Sequence, residues 1–295
     1  SIESLCNSGT NSIVSAFSYI SSGLADMVLV TGAERYDSPG QILEWDNARG
    51  EFKHPIFWAS IFSKAYKQEY GISDEQLAIV SVKNHKQAQE NPNAISKKTY
   101  TVEDVMNSKK LTDDLRLLNC SRPCTGSASI LLASKDIAEK YTDMPIWITG
   151  IGQKTTSAGF TKNTSLTSME STVIAGQSAL KMSNHNISEI DVAEVHDAFS
   201  VCEPMALESL GFTNPGQGIN MVQKLHETDN FMINPRGGLI GSGHPLGATG
   251  ISQTIEIVQQ LQKTAGNRQT NNPKTGLVHN MSAAATSSTV LVLEK

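Results

Sequence analysis

Apolar residues at Ile13, Ala16, Phe17, Ile20 and Leu24 recur three and four positions apart, which predicts a helix leading away from Cys6-Asn-Ser-Gly-Thr10. The run 26–34, apolar and with Gly32 near its end, reads as a short buried strand. From about Arg35 to Leu111 the pattern changes. Charge, Asn and Lys rise, and strand-like runs stop. Helical periodicity covers 57–70 and 73–91 there. Ser73 or Asp74 is placed to cap the second helix and Pro92 to stop it, because a residue before proline disfavours the helical region. The stretch 102–108 reads as one more short helix, capped by Thr101 with Asp104 in its first turn. Strands are expected at 115–119 and 128–134, around a polar turn at 120–126. A new unit starts at 145–152 with the strand Ile146-Trp-Ile-Thr149. It continues with a helix at 172–183, a strand at 191–195 and a helix at 199–210 that ends on Gly211. The Gly-rich stretch 238–250 feeds a helix at about 249–264, and strands at Val278 and 290–293 flank a Ser/Ala-rich segment. Strands alternating with helices argue for α/β layers. Two halves of similar plan result, 1–144 with a helical insertion at about 35–111, and 145–295.

A chain of 295 residues can bury a sizeable core. Its 24 Lys and Arg against 29 Asp and Glu give a net charge of −5, which argues against nucleic acid as the main partner. A local pocket for a phosphorylated small molecule remains compatible with that charge. The densest basic stretch, Lys83, His85, Lys86, Lys97 and Lys98, reads most simply as a solvated helix face. No apolar run reaches the ~18 residues of a membrane span. Cys6, Cys120, Cys124 and Cys202 do not make a disulfide framework, and the C-x3-C pair has no second pair at metal-binding spacing, so no metal is expected. Free thiols, together with no leader pattern and no S-K-L ending, give a cytoplasmic expectation.

Cys6 stands at the N-terminus of an apolar helix, where backbone amides and the helix dipole favour a thiolate nucleophile. The plainer alternative is a small buried hydrophobe. Gly237-Gly-Leu-Ile-Gly-Ser-Gly-His-Pro-Leu-Gly-Ala-Thr-Gly250 holds six glycines among fourteen residues, with His244 in a tight loop just before a helix. A Cys and a His in rigid loops are the minimum for thiolate catalysis. Glu194-Val-His-Asp-Ala-Phe-Ser200 places His196 and Asp197 where a strand ends, although Asp197 also suits a helix cap. His279-Asn-Met-Ser282 is a third polar segment after a strand.

Together these segments resemble the thiolase superfamily, in the branch of the sterol-carrier-protein-linked and archaeal acetoacetyl-CoA thiolases. The stretch from Ile233-Asn-Pro-Arg to Gly250, Glu194-Val-His-Asp-Ala-Phe199 and Cys6-Asn-Ser-Gly-Thr10 carry the resemblance. Tyr70-Gly-Ile-Ser-Asp-Glu-Gln-Leu-Ala78 and Val82-Lys-Asn84 also fit it. It implies the thiolase fold, two α/β halves in five layers (αβαβα). It implies that Cys6 takes an acyl group from acyl-CoA, that His244 assists the thiolate, and that His196 with a water completes an oxyanion hole. The amides of Cys6 and the Ser282 region, with Asn280 and Gly243 in the adjoining loops, would form a second hole. No cofactor is required. The chain departs from the family in three ways. The second catalytic thiol is replaced by Ala198 or, in the C-terminal loop, by about Asn280, which leaves Cys202, one turn beyond Ala198, as a possible second thiol. The Gly-rich loop reads Met281-Ser-Ala-Ala-Ala285. The chain begins almost at the nucleophile, so the first half is expected to be N-terminally incomplete, with a separate N-terminal segment or another polypeptide supplying the rest.

Three functions follow: a thiolase-type acyltransferase making or cleaving a C–C bond, a thiolase-fold acyltransferase to a non-CoA acceptor, or a silent CoA-binding or scaffold subunit. His54, Lys83 and Lys86 are substrate-contact candidates. A homodimer or larger assembly and a small zinc-ribbon/OB-fold partner are implied by the resemblance.

Overall fold

The computed structural model describes residues 1–36, 54–157 and 165–295. The helix expected after Cys6 is α1 (Ser8–Ser21), entered through a single 3-10 turn at Leu5–Asn7. Ile13 and Ala16 are buried in it, whereas Leu24 lies past its end and is exposed. Strand β1 (Met27–Glu34) follows, but not as a buried strand, because Met27 is 40% and Leu29 66% exposed. β1 pairs only with β2 (Gly126–Ala133), antiparallel, among the described residues. One face of this ribbon packs on helices and the other faces outward. Apolar residues on both faces suggest burial on both sides, and the sequence cannot say which face is covered.

The insertion is helical. Its described part holds α2 (Pro55–Tyr70), α3 (Asp74–Gln87) and α4 (Val102–Asn107). Ser73 caps α3 with Gln76 in a reciprocal capping box, and Thr101 with Asp104 does the same for α4. Residues 37–53, the start of the expected insertion, lie outside the described residues. The strand expected at 115–119 is instead a 3-10 turn at Leu117–Asn119, where the Asn119 side chain accepts the Arg116 N–H at 3.1 Å. A local side-chain bond to backbone has won over a short apolar run.

The rest is α5 (Lys135–Tyr141), β3 (Trp147–Thr155), α6 (Glu170–Ser183), β4 (Val192–Glu194), α7 (Cys202–Leu210), α8 (Gly218–Glu227), α9 (Gly238–Ser242), α10 (Leu246–Gln262), β5 (Thr275–Ser282) and β6 (Ser287–Glu294). The periodicity reading had no counterpart for α5 or α8. The second sheet runs β3-β6-β5-β4, with β4 parallel to β5 and the other pairs antiparallel. α6 covers one face of it through β3 and β6. α10 lies between the two sheets and touches β1 and β2 on one side, β4 and β5 on the other. Ile251, Ile257 and Leu261 of α10 join Val30, Val192, Val278 and Leu291 in that inter-sheet core. A second core gathers α2 and α7, with Trp58 edge-on to both Phe62 and Phe199. No helix among the described residues is long and apolar enough to cross a membrane.

One close approach positions the site. A Cβ on Gly250 would stand 2.6 Å from the Thr10 nitrogen, and one on Gly9 would stand 3.0 Å from the Gly247 oxygen. α1 and α10 therefore meet backbone to backbone at their first turns, which only glycine allows. Cys6 precedes one helix and His244 precedes the other.

Candidate active site

Cys6 Sγ lies 3.2 Å from His244 Nε2. The other ring nitrogen of His244 lies 2.7 Å from Thr249 Oγ1. That hydroxyl is also 3.1 Å from the Pro245 carbonyl oxygen, which can only accept. Thr249 thus donates to Pro245 and accepts Nδ1–H from His244. The tautomer follows: Nε2 carries a lone pair and accepts from the Cys6 thiol. Backbone fixes the ring from the other side. The His244 N–H donates to Arg122 O at 2.9 Å, and Gly243, at φ +101°, turns the chain into the site. A Cβ on Gly243 would lie 3.0 Å from Cys124 Sγ.

His196 lies two residues beyond the end of β4. One of its ring nitrogens lies within 4.8 Å of both Cys6 Sγ and a His244 nitrogen. The two imidazoles meet edge to face, with ring centroids 5.3 Å apart. Behind His196, its backbone N–H faces His279 Nδ1 at 3.5 Å, and His279 Nε2 lies 3.0 Å from Thr172 Oγ1. Asn280 also bears on the His196 ring. Its amide donates to Gln253 Oε1 at 2.6 Å, which fixes the side chain's orientation.

Burial sets the charge states. It pushes the Cys6 thiol up to about 12, with Glu34 and Glu3 adding to the rise against the pull of the residue's own backbone amide. It pushes His244 down to about 3, helped by the Arg236 charge. His196 is held well below its usual range by burial first, and then by His244 and His279. The resting site is a thiol beside neutral imidazoles. The thiolate expected at a helix N-terminus is not formed, because loss of water outweighs the favourable helix end. What the geometry offers is a thiol whose proton passes to His244 as the sulfur attacks. A consequence is testable. An ordinary histidine base would lose activity as it protonates below ~6.5. His244 is pushed down to about 3, so acyl transfer to Cys6 should show no loss from histidine protonation near ~6.5. A pre-steady-state acylation profile checks this, and a fall centred near the ordinary histidine value would refute it.

A buried polar network anchors the cluster. Asp197 accepts the N–H groups of Leu239 at 2.6 Å and Ile240 at 3.3 Å, both in α9, and an Asn84 amide hydrogen at 2.7 Å. Asn84 also donates to Glu203 at 2.7 Å, and Glu203 pairs with Lys83 at 2.9 Å. Asn234 donates to Glu203 and accepts the Val195 N–H, each at 2.8 Å, and Arg236 pairs with Glu194 at 2.8 Å. These bonds tie α3 of the insertion to the loops that carry His196 and His244. Gly238 has to be glycine here, since a Cβ on it would lie 2.3 Å from an Asp197 oxygen.

The structure brings together Cys6, His244 and His196, with Gly243 and Asn280 beside them. Ser282 ends β5, buried. Beyond it Ala283 and Ala285 take φ of +48° and +54°, a conformation suited to glycine and costing an alanine ~1–2 kcal/mol. Other expected contacts are placed elsewhere. Lys83 is not a substrate contact, because it is buried in its ion pair with Glu203. Lys86 pairs with Asp229 at the surface. His54 caps α2, its Nδ1 accepting the Ile56 N–H at 3.3 Å. Cys202 is fully buried in the apolar core and does not join the cluster. Thr249, Asn84 and His279 were missed as site residues. All three stand within the quoted segments, His279 in the polar segment after a strand, but their roles depend on contacts made in three dimensions.

Residues 152–295 match the family model of the thiolase C-terminal domain. Over 303 aligned residues the chain is 35% identical to an acetyl-CoA acetyltransferase of Methanothermobacter thermautotrophicus, covering all of this chain and 79% of that one. The chain belongs to the thiolase family. This thiolase is also 32% identical to sterol carrier protein 2 of Bos taurus, over 94% of its own length and 55% of that protein's, so it spans about half of that relative. Among solved structures, the Ltp2-ChsH2(DUF35) aldolase shares its fold, with a TM-score of 0.85, 22% identity, and coverage of 98% of this chain and 77% of that one.

Proposed function

We propose that this thiolase is an acyl-CoA acyltransferase of the acetyl-CoA C-acetyltransferase type, working through an acyl group on Cys6. The reading rests on one observation, the 3.2 Å contact between Cys6 Sγ and a His244 Nε2 left unprotonated by Thr249. The archaeal relative's name supports the substrate class. Cys6 sulfur attacks the thioester carbon, forming a C–S bond, while its proton passes to His244. Collapse breaks the bond to CoA sulfur, which takes that proton. In this reading His196, with a water, donates to the thioester oxygen and the Cys6 backbone amide donates to the acyl-enzyme carbonyl, each such donor contributing ~3 kcal/mol. In the second half a neutral imidazole of the cluster takes an α-proton from another acyl-CoA. That carbon attacks the acyl group, a C–C bond forms, and the Cys6 thiolate leaves and regains a proton. Thiolysis is the reverse.

Four free cysteines support a reducing compartment such as the cytoplasm. A homodimer and a small second chain are part of the same reading, the latter supported by the DUF35 chain in the name of the aldolase structure. The test is the intact mass of the protein after incubation with acetyl-CoA. One added acetyl group mapped to the Cys6 peptide is expected. A folded protein that gains none, with longer acyl-CoAs also tried, would overturn the reading.

A further inference from the structure

The three groups that face one another at the centre of the site are also a ligand set. Cys6 offers a sulfur, and His196 and His244 offer one ring nitrogen each, all within 4.8 Å of one another. A tetrahedral zinc ion, with bonds of ~2.3 Å to sulfur and ~2.0 Å to nitrogen, wants ligand atoms roughly 3.3–3.6 Å apart. The Cys6–His244 separation is already 3.2 Å. Closing the widest gap takes a movement of about 1 Å, which a side-chain rotation supplies.

The outer hydrogen bonds favour a cation. Metal-bound imidazoles donate their other N–H to a fixed acceptor. His244 does so to Thr249 at 2.7 Å, which leaves Nε2 with its lone pair turned to Cys6. His196 is only 2% exposed, and the side chain that bears on its ring is Asn280, itself held by Gln253. A buried imidazole fixed in this way, beside a thiol and a second imidazole, is set as a ligand. Two nitrogens and one sulfur suit a borderline-soft divalent ion, not magnesium or calcium, which take oxygen ligands.

We propose that Cys6, His196 and His244 form a reversible binding site for zinc or a similar divalent transition ion. Binding breaks the Cys6 S–H bond, forms a metal–sulfur bond and releases one proton to solvent, with no change of oxidation state. Three protein ligands leave a fourth position for water. The ion occupies the sulfur that acylation needs, so it blocks acyl transfer. It also shields the thiol from alkylation and oxidation. The site depends on side-chain geometry alone and not on the proposed reaction, so each can fail without the other.

Cobalt(II) is the probe. The intact protein is expected to bind one ion per chain, with the near-ultraviolet absorption of a cobalt–thiolate bond and the visible bands of a tetrahedral centre. Cys6→Ala should lose the near-ultraviolet absorption. His196→Ala and His244→Ala should each weaken binding by about a hundredfold or more, and Thr249→Val by about tenfold or more. Cys124→Ala should leave the spectrum unchanged. Absence of binding to the intact protein would overturn the site, as would a thiolate band that survives Cys6→Ala. A measurement on the unaltered chain guards against variants that fail to fold. Equimolar zinc should slow iodoacetamide labelling of the Cys6 peptide at least about tenfold, EDTA should restore it, and magnesium should do nothing. Labelling indifferent to zinc would equally sink the proposal.

Discussion

Replacing Cys6 with alanine is expected to leave no acyl-enzyme and to lower acyl transfer by about ten-thousandfold or more. The size follows from the arrangement around the sulfur. Among the described residues Cys6 is the one cysteine grouped with His196 and His244, while Cys202 lies in the apolar core and Cys124 packs against Gly243. His244→Gln keeps a polar side chain near the sulfur but removes the base, and should slow acylation by about a hundredfold to ten-thousandfold. A half-buried thiol held up at about 12 gives almost no thiolate of its own at neutral pH, so losing the base costs more than at an exposed cysteine. Thr249→Val should have a smaller effect, because it releases the tautomer without removing the ring. Rapid-quench acylation with mass detection reads all three. If Cys6→Ala still acquires an acetyl group at native speed, the nucleophile is another residue.

The second large effect is on stability. Asp197→Ala is expected to cost roughly 3–6 kcal/mol, out of the 5–15 kcal/mol by which domains are usually stable. The carboxylate takes three donors, from Leu239, Ile240 and Asn84, in a region without water access. Each stranded donor costs ~1–3 kcal/mol. The carboxyl is itself raised above its ordinary range, by burial first and then by Glu203, so the surroundings tolerate it only through these partners and Lys83. Losing it should also free α9 to drift, carrying Gly243 and His244 away from Cys6. A misplacement of ~1 Å is enough to slow chemistry about a hundredfold. Chemical unfolding followed by fluorescence checks the first part. A midpoint unchanged from the native chain would show that Asp197 holds nothing in place.

The cluster was legible because its residues carry local signals. Cys6 opens a helical pattern, and His244 sits among glycines that serve no ordinary helix or strand. His196 follows a short apolar strand. The resemblance then joined the three across 238 residues of chain, the separation of the Cys6–His244 contact. Charge states were not legible. A helix end favours a thiolate only where water reaches it, and burial is set by everything packed around the sulfur. Lys83 shows the same limit. On its helix it looks like part of a basic solvated face, and only the placement of Glu203 from another element turns it inward. β1 fails for the complementary reason, since an apolar run does not say what will cover it. At 115–119 one Asn side chain outweighed a run too short to hold as a strand.

The glycine contact between α1 and α10 has a consequence for how the protein is made. Cys6 acquires its base only when that crossing forms, and His244 is the later of the two by 238 residues. At ~5–20 residues per second, a ribosome needs roughly 12–48 s to get from one to the other. Throughout that interval the sulfur lacks the His244 imidazole and the helix that follows it. Every copy therefore passes through a period in which its reactive atom depends on the reducing power of the surroundings, before the second helix arrives to enclose it.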